Sequence, residues 1–277
     1  MSVAILGPGA VGGTLAVRLA LAGEDVVCVA RRETVEAIAR DGLALDHRGA
    51  TLQARPRAEE TLDEPVELLL VTVKAPGLDE ARARVRTEPE LVLPLLNGIE
   101  HMEVLRTRFA RVVAATMGRF EAYRREPTHV AQESESAVVT IAEGHSAPAL
   151  ERAGIAVHTG GSEKDVLWAK LARLAPLAAL TALTQRPVGE LRDDPLLTAG
   201  LAEACAVAAA DGARVTVADQ WAIIDSMAPD LTTSAARDVA AGRPSELDAI
   251  TGAVVRAGRR LGVPTPTLED LLARCPA

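Results

Sequence analysis

The chain has 277 residues, 48% hydrophobic and 25% charged, enough for one large or two modest domains of ordinary globular composition. A formal net charge of −8 argues against nucleic acid or an anionic membrane as the main partner. Cys28, Cys205 and Cys275 are scattered and lack CxxC spacing, which predicts free thiols in a reducing cytoplasm. The first apolar run is bounded by Arg18, Glu24 and Asp25, so no membrane span is expected, and it lacks a basic lead and a cleavage site, so no signal peptide is expected.

Short apolar runs at 2–6, 25–30, 66–73, 91–96 and 112–116 alternate with helical patterns at 10–22, 33–41, 78–85 and 100–108. Such alternation predicts an α/β fold with a doubly wound parallel sheet, its strands covered on both faces. Polar-alternating stretches within 129–158 predict further strands that extend this sheet. From Ser162 the pattern becomes helical, over 163–184, 193–212, 217–227, 231–241, 245–261 and 267–273, punctuated by prolines. Two domains are therefore expected, a Rossmann domain over 1–161 and an all-helical one over 162–277.

After the first run stands "GPGAVGG", with Gly7, Gly9 and Gly12 in dinucleotide-cradle spacing. Gly7 makes the turn, Gly9 admits a pyrophosphate, and Gly12 lets the helix pack on its strand. Pro8, Ala10 and Val11 complete the loop, whose backbone N–H groups open a helix. Where an acidic residue would hold the ribose 2′-hydroxyl of NAD, this chain has Arg31 and Arg32. Their guanidinium groups suit a 2′-phosphate, which predicts NADPH as cofactor.

Residue counts mark four more positions. Of 30 basic residues only Lys74, Lys164 and Lys170 are lysines, and Asn97 is the one asparagine. A retained lysine suggests a place where the guanidinium fork, which does not release a proton near neutrality, would not serve. Lys74 and Asn97 end predicted strands, at the sheet edge where ligands bind in open α/β sheets. Lys170 shares a helical stripe with Val166, Leu174 and Ala178, and either snorkels outward or sits in a cavity with a lowered pKa. Pro176 is expected to disturb that helix. Ser234 and Glu246 lie in a later helical region, and Glu246, read alone, is an ordinary surface carboxylate.

These segments together resemble the ketopantoate reductase (2-dehydropantoate 2-reductase) family: "AILGPGAVGG", "LLLVTVKA", "LLNG", "WAKLARLAPLAALTAL" and, most specifically, "RPSELDAITG". The resemblance implies a Rossmann domain, a helical domain, and NADPH-dependent reduction of 2-dehydropantoate to pantoate, a step towards coenzyme A. It implies Lys170 as general acid and Glu246 as the acidic residue holding that lysine and the substrate. By the same resemblance Ser234 and Asn97 bind substrate, Asn97 and Lys74 line the cofactor, and Arg31 reads the 2′-phosphate.

The pattern departs from the family four and eight residues after the lysine, where asparagines give way to Leu174 and Ala178. Two amide partners for a polar substrate are lost, which also admits a reductase of a more apolar 2-keto acid, or a non-catalytic NADPH-binding paralogue. Metal-dependent hydrolysis finds no HExxH pair, and no GxSxG elbow presents a serine nucleophile. The Ala-rich second half leaves a homodimer open.

Overall fold

The computed structural model describes residues 1–118 and 120–275, and its chain divides into two compact units. Met1–Leu96 and His101–Glu163 form the first; Asn97–Glu100 and the chain from Lys164 onward form the second. In the first unit the order is β1 (Ser2–Leu6), α1 (Ala10–Leu21), β2 (Asp25–Val29), α2 (Arg32–Asp41), β3 (Leu43–His47), β4 (Ala50–Ala54), β5 (Arg57–Glu59) and β6 (Leu68–Val71). Then come α3 (Leu78–Arg82), β7 (Val92–Pro94), α4 (His101–Arg106), β8 (Ala115–Gly118), β9 (Ala122–Glu126), β10 (His129–Gln132), β11 (Val138–Ile141), α5 (Pro148–Arg152) and β12 (Ala156–Thr159).

A five-stranded parallel sheet runs in the order β5-β2-β1-β6-β7. The chain leaves β1 in one direction for β2 and β5, then returns to the other side for β6 and β7. The topological switch therefore falls beside the carboxyl end of β1, where open α/β sheets bind ligands. Pro94 costs no ladder bond that matters, because β7 is an edge strand.

Two smaller sheets differ from expectation. Residues 112–116 do not join the parallel sheet as a full strand: Val112 makes one bridge to Val92, and β8 then pairs antiparallel with β11 in a separate sheet, β12-β11-β8. The strands expected within 129–158 form, as β10, β11 and β12, but they do not extend the parallel sheet: β10 joins a four-stranded sheet, β4-β3-β10-β9, whose other three strands were not expected. This sheet explains why α1 is apolar nearly all round. Leu15, Ala16, Val17 and Leu19 are fully buried because α1 packs against strands of both this sheet and the parallel one. Gly13 permits the approach, since a Cβ there would come within 3.1 Å of Val130 Cγ1.

The second unit is helical: α6 (Glu163–Thr184, its first residue counted with the first unit), α7 (Val188–Leu191), α8 (Pro195–Ala210), α9 (Val217–Asp225), α10 (Ser234–Ala240), a π-helical turn (Asp248–Gly252), α11 (Ala253–Leu261) and α12 (Pro266–Arg274). At its centre α6 buries Trp168, Leu171, Ala175, Ala178 and Ala179. The helix runs unbroken through Pro176, and Gly200 of α8 lies against that proline, where a Cβ would come within 3.0 Å of Pro176 Cβ. Contrary to expectation, α6 is long and apolar enough to cross a bilayer (mean hydropathy 1.5), but 72% of that window is buried within the protein. Its apolar surface is consumed by the core.

Because α1 is packed on two sides, its core has little room to collapse around a void. Leu15→Ala should lower the unfolding free energy by about 3 kcal/mol. Denaturant midpoints at unchanged m-value measure this, and a loss under ~1 kcal/mol would contradict the two-sided packing.

Candidate active site

The loop between β1 and α1 is built as a cradle. Gly7 adopts φ +89, and a Cβ on it would lie 2.4 Å from Val73 Cγ1. Gly12 is equally closed, with Gly7 O and Thr72 Oγ1 each 2.4 Å from a would-be Cβ. At Gly9, by contrast, nothing lies within 4 Å of that position, so the loop is tight towards the protein and open outward. Gly9 is the N-cap of α1 and supplies no side-chain cap, which leaves N–H groups of the first turn available to an anion. Pro8 is buried under the turn, and Ala10 and Val11 begin the helix. Thr72, which sequence reasoning missed, braces the turn by donating from Oγ1 to Gly7 O at 2.7 Å. These residues fit a dinucleotide pyrophosphate.

Arg31 stands at the carboxyl end of β2 as N-cap of α2. It is exposed and bidentate to Glu80 of α3, from Nε at 3.1 Å and Nη2 at 2.5 Å, while Arg84 adds a third bond at 3.1 Å. Hydrogen bonds from the two guanidinium groups bring the Glu80 carboxyl down to about 2. Arg32 pairs likewise with Glu60 at 3.1 Å. Exposed pairs of this kind contribute little and exchange readily, so a phosphate can take the place of Glu80 on Arg31. Lys74 follows β6, exposed, as N-cap of the short helix Ala75–Gly77.

In the second unit, Asn97 and Glu246 are brought together: Asn97 Nδ2 donates to Glu246 Oε2 at 3.2 Å. Three features set this contact. Gly98 takes φ +88 with a would-be Cβ 2.3 Å from Ala249 O, so only glycine allows the loop to touch the π-turn. Arg256 clamps the same loop, donating to Glu100 from Nε (2.8 Å) and Nη2 (2.7 Å) and to Asp248 Oδ1 from Nη1 (2.8 Å). Thr251 Oγ1 donates to Ala175 O at 2.8 Å and ties the π-turn to α6. The π-turn that follows the buried Glu246 is thus tied to the helix that bears Lys170, and such turns recur at functional sites.

Lys170 is partly accessible on α6 and is in ion-pair contact with no carboxylate among the described residues. Burial, then the Arg173 charge, lower its pKa to about 8, against a smaller upward pull from Glu246. Glu246 therefore acts on Lys170 through space rather than by holding its ammonium. Ser234 is exposed at the first position of α10, next to the N-cap Thr233, which bonds Thr181 of α6 at 2.7 Å. Thr181 lies about 16 Å along α6 from Lys170, at 1.5 Å per residue. Leu174 packs against the apolar core and Ala178 lies within it, so neither offers a hydrogen bond. Arg173, beside Lys170, was not singled out in the sequence. The usable signal was that it is the other cation of an otherwise apolar stretch from Val166 to Thr184.

The parallel sheet with its glycine cradle and the added helical unit define a Rossmann-type α/β protein with a helical domain. Within that class the chain belongs to the ketopantoate reductase family. The family model described as Ketopantoate reductase PanE/ApbA matches residues 3–146, and its C-terminal counterpart matches residues 164–275. The chain is 32% identical to a 2-dehydropantoate 2-reductase of Caulobacter vibrioides, over 98% of this chain and 97% of that one. It is 31% identical to the 2-dehydropantoate 2-reductase of Mycobacterium tuberculosis, over 98% and 95%. Among solved structures, a PanE/ApbA family ketopantoate reductase from Ralstonia eutropha superposes with a TM-score of 0.87 at 32% identity, over 99% and 96% of the two chains. A D-mandelate dehydrogenase with NADH and anilino(oxo)acetate shares the fold, with a TM-score of 0.90 at 22% identity over 99% and 96%.

The lowered pKa has a consequence for stability. Between about 8 and the ordinary 10.5, the unfolded chain carries a proton that folded Lys170 has lost, so this group's contribution to stability rises with pH. Below that window its burial cost is fully present. Lys170→Met should therefore be more stable than the parent at pH 7, with the margin narrowing towards pH 10. Denaturant midpoints across that range test it, and a margin independent of pH would contradict the shift.

Proposed function

We propose that the protein reduces the ketone of a 2-keto acid with NADPH, and that its substrate is 2-dehydropantoate, giving pantoate for pantothenate and coenzyme A synthesis. Lys170 carries this reading. Its ammonium has a pKa brought towards neutrality, as an acid that must release a proton needs. It also occupies the position that the family resemblance gives to the general acid. Bound in the glycine cradle, NADPH would supply the hydride.

The chain's own residues do the rest. Lys170 donates its proton to the carbonyl oxygen as negative charge develops there, and its positive charge stabilises that oxygen. Glu246, fixed by Asn97, offsets part of the burial cost and keeps the ammonium protonated below pH 8. Asn97 and the exposed Ser234 are the proposed substrate contacts, Lys74 a cofactor contact, and Arg31 the reader of the 2′-phosphate. A second reading keeps the chemistry and changes the substrate to a more apolar 2-keto acid. It is favoured by Leu174 and Ala178, whose apolar packing replaces two amides.

Lys170→Ala should lower kcat at least ~10³-fold while the dissociation constant for NADPH moves less than ~3-fold. Absorbance of the reduced cofactor over a panel of 2-keto acids reads turnover. Turnover in the variant equal to the parent's would end the proposal, and better use of an apolar acid than of 2-dehydropantoate would select the second reading. NADPH binding without oxidation by any keto acid would instead favour a non-catalytic paralogue. Arg31→Ala should weaken NADPH about 10-fold and leave NADH nearly unchanged, and equal effects on both would remove Arg31 as the phosphate reader.

A further inference from the structure

Arg173 lies one turn from Lys170 on α6. Helical side chains lean back towards the N-terminus, and Arg173 does so: Nη1 donates to Ala169 O, over the turn that carries Lys170. The same nitrogen donates to Gln220 Oε1 of α9 at 3.2 Å, and Gln220 is itself buried. Both partners are neutral. Among the described residues no carboxylate is in ion-pair contact with Arg173, whereas Arg106, Arg243 and Arg256 each hold one.

Two half-buried cations a turn apart, without an ion-paired anion, are an expensive arrangement in a helix core. They are accounted for when an anion belongs between them and a solvent path reaches it. A guanidinium presents a planar pair of donors that matches a carboxylate, and with Nη1 engaged Nε and Nη2 remain for it. The family's amide positions cannot serve, since the side chains of Leu174 and Ala178 have no polar atoms.

We infer that Arg173 receives the carboxylate of the substrate while Lys170 faces its keto oxygen, so that Arg173 is the binding residue that selects 2-keto acids over neutral ketones. The inference rests on the reaction proposed above and adds the group that recognises the substrate's charge. Burial lowers the Arg173 pKa to about 10, so it stays cationic at neutral pH.

Oxamate, an unreactive isostere of a short 2-keto acid, is the probe, titrated calorimetrically into the full-length protein at saturating NADPH. Wild type should bind it, Arg173→Gln should bind about 30- to 100-fold more weakly, and Arg173→Lys should fall between. Neutral oxamide should bind weakly and equally to all three. Oxamate affinity unchanged in Arg173→Gln, or no oxamate binding by wild type, would overturn the inference. Thermal melts confirm folding, and if Arg173→Gln does not fold, Arg173→Lys decides, since unchanged affinity there would count against the two-donor fork. The two readings fail separately. Arg173-dependent oxamate binding without reduction of any keto acid would sink the reaction alone. Reduction of keto acids with an unaltered KM in Arg173→Gln would sink the inference alone.

Discussion

Keeping an ammonium inside an apolar helix is the constraint on which the second unit turns. Lys170 loses hydration on α6, has Arg173 beside it, and makes no ion pair with a carboxylate among the described residues. A full ion pair with Glu246 would restore its pKa and make it a poor proton donor; complete removal of that charge would lower it further. The observed compromise is a carboxylate felt through space. Much of the surrounding geometry serves to hold it there: the Asn97 bond, the Gly98 contact on the π-turn, the Arg256 clamp and the Thr251 tie to α6.

The first unit solves the opposite problem. Its candidate anion site is made of neutral backbone, with glycines closed towards Thr72 and Val73 and open at Gly9. Its arginines are outside, paired with Glu80 and Glu60 where solvent screens them and exchange is cheap. On the proposed reading, Arg31, whose charge exchanges partners, is exposed, and Lys170, whose charge moves a proton, is half-buried.

Local signals made much of this legible in the sequence. The glycine turn, α1 and α6 announce themselves through spacing and periodicity within a dozen or two residues, and Lys170 and Asn97 stood out as rare letters in an arginine-rich chain. The β4-β3-β10-β9 sheet did not, because its order depends on β3 pairing with β10 some 85 positions later, as in His47 against Gln132. Its one local signal, Arg48-Gly49 with φ of 51 and 76, marks a tight hairpin turn, but Arg is a weak marker for such a turn beside Asn or Asp. Arg173 was hidden by the same composition that exposed Lys170, since one arginine among 27 carries no signal until its hydrogen-bond partners are seen to be uncharged.

The central claim is that Lys170 titrates near neutrality. With only three lysines in the chain, side-chain NMR of isotope-labelled lysine resolves each, and a Lys170→Met sample assigns the signal. The account predicts a midpoint near pH 8 for Lys170. A Lys170 midpoint at the ordinary 10.5 would contradict it.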